Sequence, residues 1–191
     1  MENNEREEIV YQGKMIEIIH QHVFSNDKEL ILEKGRRGPG TRLLIETPTG
    51  DFLISKEIRH ELGMDYRLPG GKVFDSLTEY NKYTQEEHNP QDILEKAKEA
   101  AIREGIEEAG IKPLEMEFIS ISRCGGSFEW DLYYFLVKKY EIVGQKLEEH
   151  EKIESIQVSR DELLQLALSG GMQEDRSVAV VLKYLYKKDL I

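Results

Sequence analysis

Several residue types that define particular classes of protein are scarce in this chain. It holds one cysteine, Cys124, among 191 residues, so no internal disulfide can form, as is typical of a reducing compartment. No apolar run approaches the roughly 18 residues that a membrane-spanning helix requires. The opening segment, Met1–Glu8, is acidic and polar, the reverse of a secretory signal peptide. We therefore expect a cytoplasmic protein with no membrane partner.

Positive charge is also in deficit. The chain has 26 Lys and Arg against 37 Asp and Glu, which gives a net charge of −11. Nucleic acids and anionic membranes are bound by basic surfaces, so we expect neither as a partner. The five histidines and Cys124 also lack the spacing of a zinc site. An anionic small substrate would be repelled by such a chain unless a cation bridged the two.

The pattern of elements predicts a single α+β domain in three layers. The first half reads as strands, including a hairpin in which Arg42–Glu46 and Phe52–Lys56 are joined across Thr47–Asp51. The polar stretch from about 75 to 91 has few apolar residues, so we expect a surface insertion. Asn89, followed by Pro90, predicts the start of a long helix that ends before Gly110.

This helix carries the most informative residues of the chain. At about 100° per residue, Glu104, Glu107 and Glu108 share an arc of roughly 100°. Three carboxylates on one face repel each other, but they become favourable around a hard divalent cation such as Mg²⁺ or Mn²⁺. For an isolated pattern of this kind, a solvated acidic face is the commoner outcome. The wider sequence context favours the metal site.

The segment Arg103–Ile111, with Glu95 eight residues before Arg103, resembles the Nudix box, Arg-Glu-U-x-Glu-Glu-x-Gly-U with U apolar. Nudix hydrolases cleave nucleoside diphosphates that are linked to another moiety, X. The chain departs from the box at one apolar position, where it has Gly105. It also departs at the Leu68–Val73 loop, which resembles the glycine loop of the family but is separated from the helix by the polar insertion.

From about residue 9 to 187 the chain resembles the ADP-ribose pyrophosphatase and nucleoside-diphosphate-sugar hydrolase group. The resemblance implies a Nudix fold, an α/β/α sandwich with a mixed sheet and additional N-terminal antiparallel strands. It implies that residues 1–45 form N-terminal strands, a candidate dimerisation subdomain, and that 46–191 form the catalytic domain. A homodimer acting on a nucleoside-diphosphate-linked small molecule follows from the same resemblance.

The resemblance also implies roles for individual residues. It makes Glu149 of the acidic 147–153 loop the general base, with Glu107 and Glu108 catalytic, although a solvated loop without a role remains an alternative. The implied ligands of Mg²⁺, or of Mn²⁺, are Glu104, Glu107, Glu108, Glu151 and the backbone of Gly70. Arg59 and Glu129 are the implied substrate-binding residues. Structural roles within the box fall to Glu95, Arg103 and Gly110.

The predicted reaction is metal-dependent hydrolysis of the pyrophosphate bond of ADP-ribose or a related nucleoside-diphosphate sugar. The products are a nucleoside monophosphate and a sugar phosphate. Two alternatives stay open, a Nudix nucleoside-triphosphate pyrophosphohydrolase and a non-catalytic module that senses ADP-ribose. Arg36 and Arg37, flanked by glycines, fit a plain loop better than a phosphate site. Trp130 lies in a strand pattern that favours core packing.

Overall fold

The computed structural model describes residues 5–25, 28–86, 88–147 and 152–188. Within these ranges lie ten strands: β1 (Glu5–Gln12), β2 (Glu17–Ser25), β3 (Lys28–Arg36), β4 (Gly40–Glu46), β5 (Phe52–Arg59), β6 (Gly63–Arg67), β7 (Ile111–Ser122), β8 (Phe128–Glu129), β9 (Leu132–Ile142) and β10 (Ile153–Val158). The helices in the same ranges are α1 (Leu77–Gln85), α2 (Pro90–Glu107), α3 (Arg160–Ser169) and α4 (Asp175–Lys187). None of these helices is both long and apolar enough to cross a membrane.

The strands form two sheets. The first has the order β1-β2-β3-β8, and its first three strands are antiparallel. The second has the order β10-β5-β4-β9-β7, with β6 paired to β5, and it is mixed because β4 runs parallel to β9. The division falls between β3 and β4. Gly40–Ile45, which we assigned to the N-terminal subdomain, therefore lie in the second sheet, because β4 pairs with β5 and β9.

Side chains of the second sheet alternate between two apolar cores. On β4 and β9, Leu44 and Tyr134 face the core shared with α3 and α4, whereas Leu43 and Phe135 face the core shared with α2. This alternation follows from the two-residue period of a strand. Helices therefore cover both faces of the sheet. The α+β class, the three-layer α/β/α arrangement and the additional N-terminal antiparallel strands are confirmed.

The long helix α2 begins where its capping residues predict. The Asn89 side chain accepts a hydrogen bond from the Gln91 N–H, and Asp92 accepts one from the Asn89 N–H, which forms a capping box. The helix ends at Glu107, and Gly110 follows with φ of 69°, a backbone conformation that favours glycine. Helix α2 packs against β4, β7 and β9. Its carboxylates are thereby fixed relative to the sheet.

The polar stretch before α2 lies mostly at the surface, but it also packs against the core through a helix. It contains α1, whose cap Ser76 accepts a hydrogen bond from the Glu79 N–H. Leu77 and Asn81 are buried, and Tyr80 and Tyr83 pack against the α2 side of the core. Four inward-facing residues in one short helix are enough to anchor it, even though its mean composition is polar.

Candidate active site

A cavity of about 510 Å³ opens where the second sheet, the β6–α1 loop and the end of α2 meet. Its lining is dominated by charged residues and glycines. The lining includes Arg37, Gly40, Arg42, Glu57, Arg59, Arg67, Gly70, Gly71, Lys72, Glu104, Glu107, Glu108, Trp130 and Lys152. The three glutamates of the predicted metal site therefore face one cavity, together with the glycine loop.

The glycine loop and α2 are in direct contact despite the insertion that separates them in sequence. The Gly70 N–H donates a hydrogen bond of 2.8 Å to Oε2 of Glu108. A Cβ at Gly70 would lie 2.1 Å from the carbonyl oxygen of Thr41, so any other residue would force the backbone to move. A Cβ at Gly71 would lie 2.3 Å from Oε1 of Glu104. The Glu104 carboxylate thus occupies the space that Gly71 leaves, and the backbone of Thr41 occupies the space that Gly70 leaves.

Glu108 is the most perturbed acid in this cavity. Burial, and then the charges of Glu104 and Glu57, raise its pKa to about 8, although the Gly70 N–H and the Arg42 guanidinium oppose the shift. The ionised form is therefore unfavourable here in the absence of an additional cation. Such a strong perturbation inside a cleft is characteristic of functional sites.

The third glutamate is less constrained. Glu107 is 38% exposed in its side chain, and its carboxylate lies 3.9 Å from Nε of Arg103. In the part of the chain that the structure describes, no three acidic, histidine or cysteine side chains come close enough together to hold a metal ion. Glu149 and Glu151, the other acids expected at the site, lie outside the described residues.

Arg103 joins the helix to the glycine loop. Its Nη2 donates to the carbonyl of Lys72 at 2.7 Å and to Oε1 of Glu104 at 3.3 Å. Beside it, Gly105 is buried, and a Cβ there would lie 3.2 Å from the ring of Pro113. The glycine that departs from the Nudix box therefore faces a proline that fills the space of an apolar side chain.

Three arginines of the cavity are held by two carboxylates. Glu174 binds Arg42 through two hydrogen bonds of 2.9 Å and contacts Arg67 at 3.2 Å. Glu57 binds Arg59 at 2.6 Å and Arg67 at 3.2 Å. Arg59 thus lines the cavity as the resemblance implied. Sequence reasoning missed the other members, because no local pattern links Glu174 to an arginine 132 residues earlier.

Two predicted site residues lie elsewhere. Glu129 does not line the cavity, and its carboxylate accepts a hydrogen bond of 2.8 Å from Arg36 and lies 3.6 Å from Lys34. Glu95 is 58% exposed in its side chain, and the ion pair it makes is with Lys98, at 4.0 Å. Gly110, by contrast, accepts hydrogen bonds from the N–H groups of residues 143 and 144, which position the chain after β9.

The described residues on either side of the acidic loop lie at the same end of α2. The N–H of Lys146 donates to the carbonyl of Glu107, and Nε2 of Gln145 donates to the carbonyl of Glu108 at 2.6 Å. On the other side, Lys152 lines the cavity. The described residues that precede 148 and follow 151 therefore lie beside the carboxylates of the cavity.

A comparison with solved structures finds a protein of similar fold. The chain resembles a solved structure described as "Crystal structure of ADP compounds hydrolase" with a TM-score of 0.70, over 97% of this chain and 95% of that chain. The two sequences are 15% identical. What they share is the fold. No protein-family model matches this chain, and no curated protein matches it significantly in sequence.

Proposed function

We propose that this protein is a Nudix-type hydrolase that cleaves the pyrophosphate bond of ADP-ribose or a related nucleoside-diphosphate sugar. The supporting observation is the single cavity that Glu104, Glu107 and Glu108 line together with Gly70 and Gly71. The fold shared with an ADP compounds hydrolase supports the same class of substrate. The products would be a nucleoside monophosphate and a sugar phosphate.

The residues present suit a bound Mg²⁺, with Mn²⁺ as a second candidate. Carboxylates are the ligands that such hard cations prefer, and Glu108 is a buried carboxyl close to the glycine loop. We propose Glu104, Glu107, Glu108, the backbone of Gly70 and Glu151 as the ligands. When bound, the metal would stabilise negative charge on the bridging oxygens and lower the pKa of a coordinated water.

The remaining groups of the cavity would position the substrate. Arg59, Arg42 and Arg67 all line the cavity. Glu174 forms an ion pair with Arg42, and Glu57 forms one with Arg67. Such arginines suit phosphate oxygens because their donors match the fork of a phosphate. Glu149 is the proposed general base, since Lys146, a described residue shortly before it, is hydrogen-bonded to the end of α2. Glu107 and Glu108 are proposed as catalytic residues as well as metal ligands.

The test is a product assay on the full chain. Purified protein incubated with ADP-ribose and MgCl₂ should release AMP and ribose 5-phosphate, detected by chromatography. Glu108→Gln should lower kcat on the order of 100-fold, because one charged group of the site is lost. The control is Glu115→Gln, an exposed β7 residue that pairs with Lys139 outside the cavity. Binding of ADP-ribose without products would contradict the hydrolase and favour a sensing module.

We also propose that the protein is a homodimer formed through its N-terminal strands. The first sheet exposes an unusual set of apolar side chains: Ile9, Val10, Tyr11, Phe24, Leu30, Ile31 and Leu32. Clusters of this kind are rare on monomers and common at interfaces. Sedimentation should give about twice the 22.2 kDa chain mass. Replacing Leu30 and Leu32 with Asp should give the monomer, whereas a wild-type monomer at micromolar concentration would contradict the proposal.

A further inference from the structure

Arg37 differs from the other arginines of the cavity in its ion pairs. Arg42, Arg59 and Arg67 each lie within 3.2 Å of a carboxylate. Arg36, next to it in sequence, reaches Glu7, Glu17 and Glu129. Within the described residues, no carboxylate lies within 4.0 Å of the Arg37 guanidinium, although this side chain is half-buried and lines the cavity. Among the residues that the structure describes, Arg37 is therefore a cation of the cavity without an ion-pair partner.

Arg37 is nevertheless held in place. Its backbone N–H donates to the carbonyl of Glu129 at 2.9 Å, and its guanidinium carbon lies 4.6 Å from the centre of the Trp130 ring. Stacking on an aromatic face positions a guanidinium while leaving its N–H donors available. Trp130 is itself fixed, because Nη1 of Arg176 donates to its carbonyl at 2.7 Å. The Arg37 donors are thus oriented before any ligand binds.

The charges around Arg37 favour an anion beside it. Its pKa is lowered by burial and then by the positive charges of Arg42, Arg176 and Arg59, with only a partial offset from Glu174. A bound anion would relieve this repulsion. None of these four neighbours lies on α2, the helix that carries the carboxylates of the proposed metal site. Arg37 therefore belongs to the wall of the cavity that carries Arg42 and Arg59, and not to the wall that α2 forms with the carboxylates of the proposed metal site.

The two walls are close enough for one ligand to contact both. Gly40 lies between them: a Cβ there would be 3.0 Å from the carbonyl of Gly71 and 3.8 Å from the indole nitrogen of Trp130. A molecule whose diphosphate lies beside Glu104 and Gly71 reaches Trp130 when its moiety X extends past Gly40. Arg37 stands at that end of the cavity.

We propose that Arg37 is a specificity-determining residue that binds a second anionic group of the substrate, a carboxylate or phosphate carried by X. The proposal rests on the proposed function and names its substrate class: nucleoside-diphosphate sugars whose sugar bears its own negative charge. The net charge of −11 makes this selectivity dependent on a local cation, because the protein as a whole repels anions.

A matched pair of probes tests the proposal. ADP-glucose and ADP-glucuronate differ only in whether C6 of the sugar is an alcohol or a carboxylate. The wild-type protein, assayed with MgCl₂, should show a higher kcat/KM for ADP-glucuronate. Arg37→Met should lower that value on the order of tenfold and leave ADP-glucose within about twofold, because a charge-assisted hydrogen bond is lost only with the acid. Arg37→Lys should restore part of the preference.

The control variant is Arg123→Met, which removes an arginine whose side chain is 72% exposed and which does not line this cavity. It should leave both substrates unchanged. An equal loss for both substrates in Arg37→Met would mean that Arg37 contacts the shared diphosphate, and no loss for either would mean that it contacts neither. Both results would overturn the proposal.

Measurements of ligand binding test the anion site at Arg37 independently of hydrolysis. Trp130 is the one tryptophan of the sequence, so its fluorescence reports ligands that reach Arg37. If the wild-type protein hydrolyses neither of these compounds nor ADP-ribose, the proposed function fails. The anion site still stands if ADP-glucuronate binds more tightly than ADP-glucose and Arg37→Met abolishes the difference. Equal dissociation constants for the two compounds in the wild-type protein would remove the anion site as well.

Discussion

The backbone N–H of Gly70 donates a 2.8 Å hydrogen bond to the carboxylate of Glu108, 38 residues further along the chain. This bond links the glycine loop after β6 to the end of α2, and both segments line the cavity. It also directs the Glu108 side chain at a backbone position that tolerates only glycine, since a Cβ at Gly70 would collide with Thr41. The position of the proposed metal site thus depends on one loop conformation.

The two glycines of this loop should respond differently to alanine. Gly70→Ala places a Cβ 2.1 Å from a backbone oxygen and should lower the free energy of unfolding by about 1–3 kcal/mol or more. Gly71→Ala meets the carboxylate of Glu104, which can rotate away, so stability should change little while hydrolysis is lost. Thermal melts and product assays measure the two effects. Gly126→Ala, with nothing within 4 Å, is the control.

Mg²⁺ should stabilise the folded protein if α2 supplies its ligands. A ligand that binds only the folded state at 100 times its dissociation constant adds about 2.7 kcal/mol. The Tm should therefore rise with MgCl₂ in the wild-type protein and in Glu115→Gln, and not in Glu108→Gln. Calorimetric titration of Mg²⁺ without substrate should agree. A rise of equal size in Glu108→Gln would place the metal elsewhere.

The acidic loop and the helix can be tested separately. Glu149→Gln should lower kcat but leave Mg²⁺ binding intact, because its proposed role is to accept a proton and not to hold the metal. Glu151→Gln should weaken Mg²⁺ binding. Full turnover in Glu149→Gln together with loss of turnover in Glu108→Gln would remove the loop residue from the proposal and keep the helix.

The Glu174–Arg42 pair should make stability depend on pH. Burial acts to raise the pKa of Glu174, but the charge and hydrogen bonds of Arg42 outweigh it, and the pKa is lowered. Glu174→Gln should reduce the free energy of unfolding by about 3–5 kcal/mol at pH 7, because Arg42 then stays buried without its partner. Glu154→Gln, which breaks the exposed pair with Lys56, should leave the stability almost unchanged.

The sign of the pH effect follows from the direction of the shift. A carboxyl whose pKa is lower in the folded chain contributes its full stabilisation above the ordinary glutamate pKa of about 4.3. This contribution disappears as the pH falls through the lower pKa of the folded state. Urea titrations from pH 7 to pH 3 should therefore show the wild-type protein approaching Glu174→Gln at the acidic end. A constant difference across that range would contradict the role of the Glu174 charge.

Gly105 and Pro113 should behave as a coupled pair. Gly105→Ile introduces the apolar residue that the Nudix box has at this position, but it should destabilise this protein by about 1–3 kcal/mol, because the ring of Pro113 already occupies the space. Adding Pro113→Ala should recover part of the loss. A double-mutant cycle of denaturant unfolding measures the interaction, and independent effects of the two substitutions would show that the contact is unimportant.

Sequence alone determined the local features of this protein. The capping residues around Asn89 and the glycine at 110 set the ends of α2, and the period of a helix placed Glu104, Glu107 and Glu108 on one face. Alternation and turn residues predicted the hairpin of β4 and β5. These predictions succeeded because each depends on residues within a few positions of one another. The polar composition of 75–91 did not reveal that α1 packs against the core. The four side chains that anchor this helix are a minority of the stretch, so its mean composition stays polar.

The tertiary structure alone decided which distant residues meet. In the folded chain Gly70 contacts Glu108 although an insertion separates them, and Arg42 pairs with Glu174. Glu129 lies outside the cavity, where it pairs with Arg36. The fold also left Arg37 facing the cavity without a carboxylate within ion-pair distance among the described residues. The physical reason is that ion pairs and close backbone contacts depend on distance in space. The packing of sheet, loop and helix sets that distance, and local sequence does not.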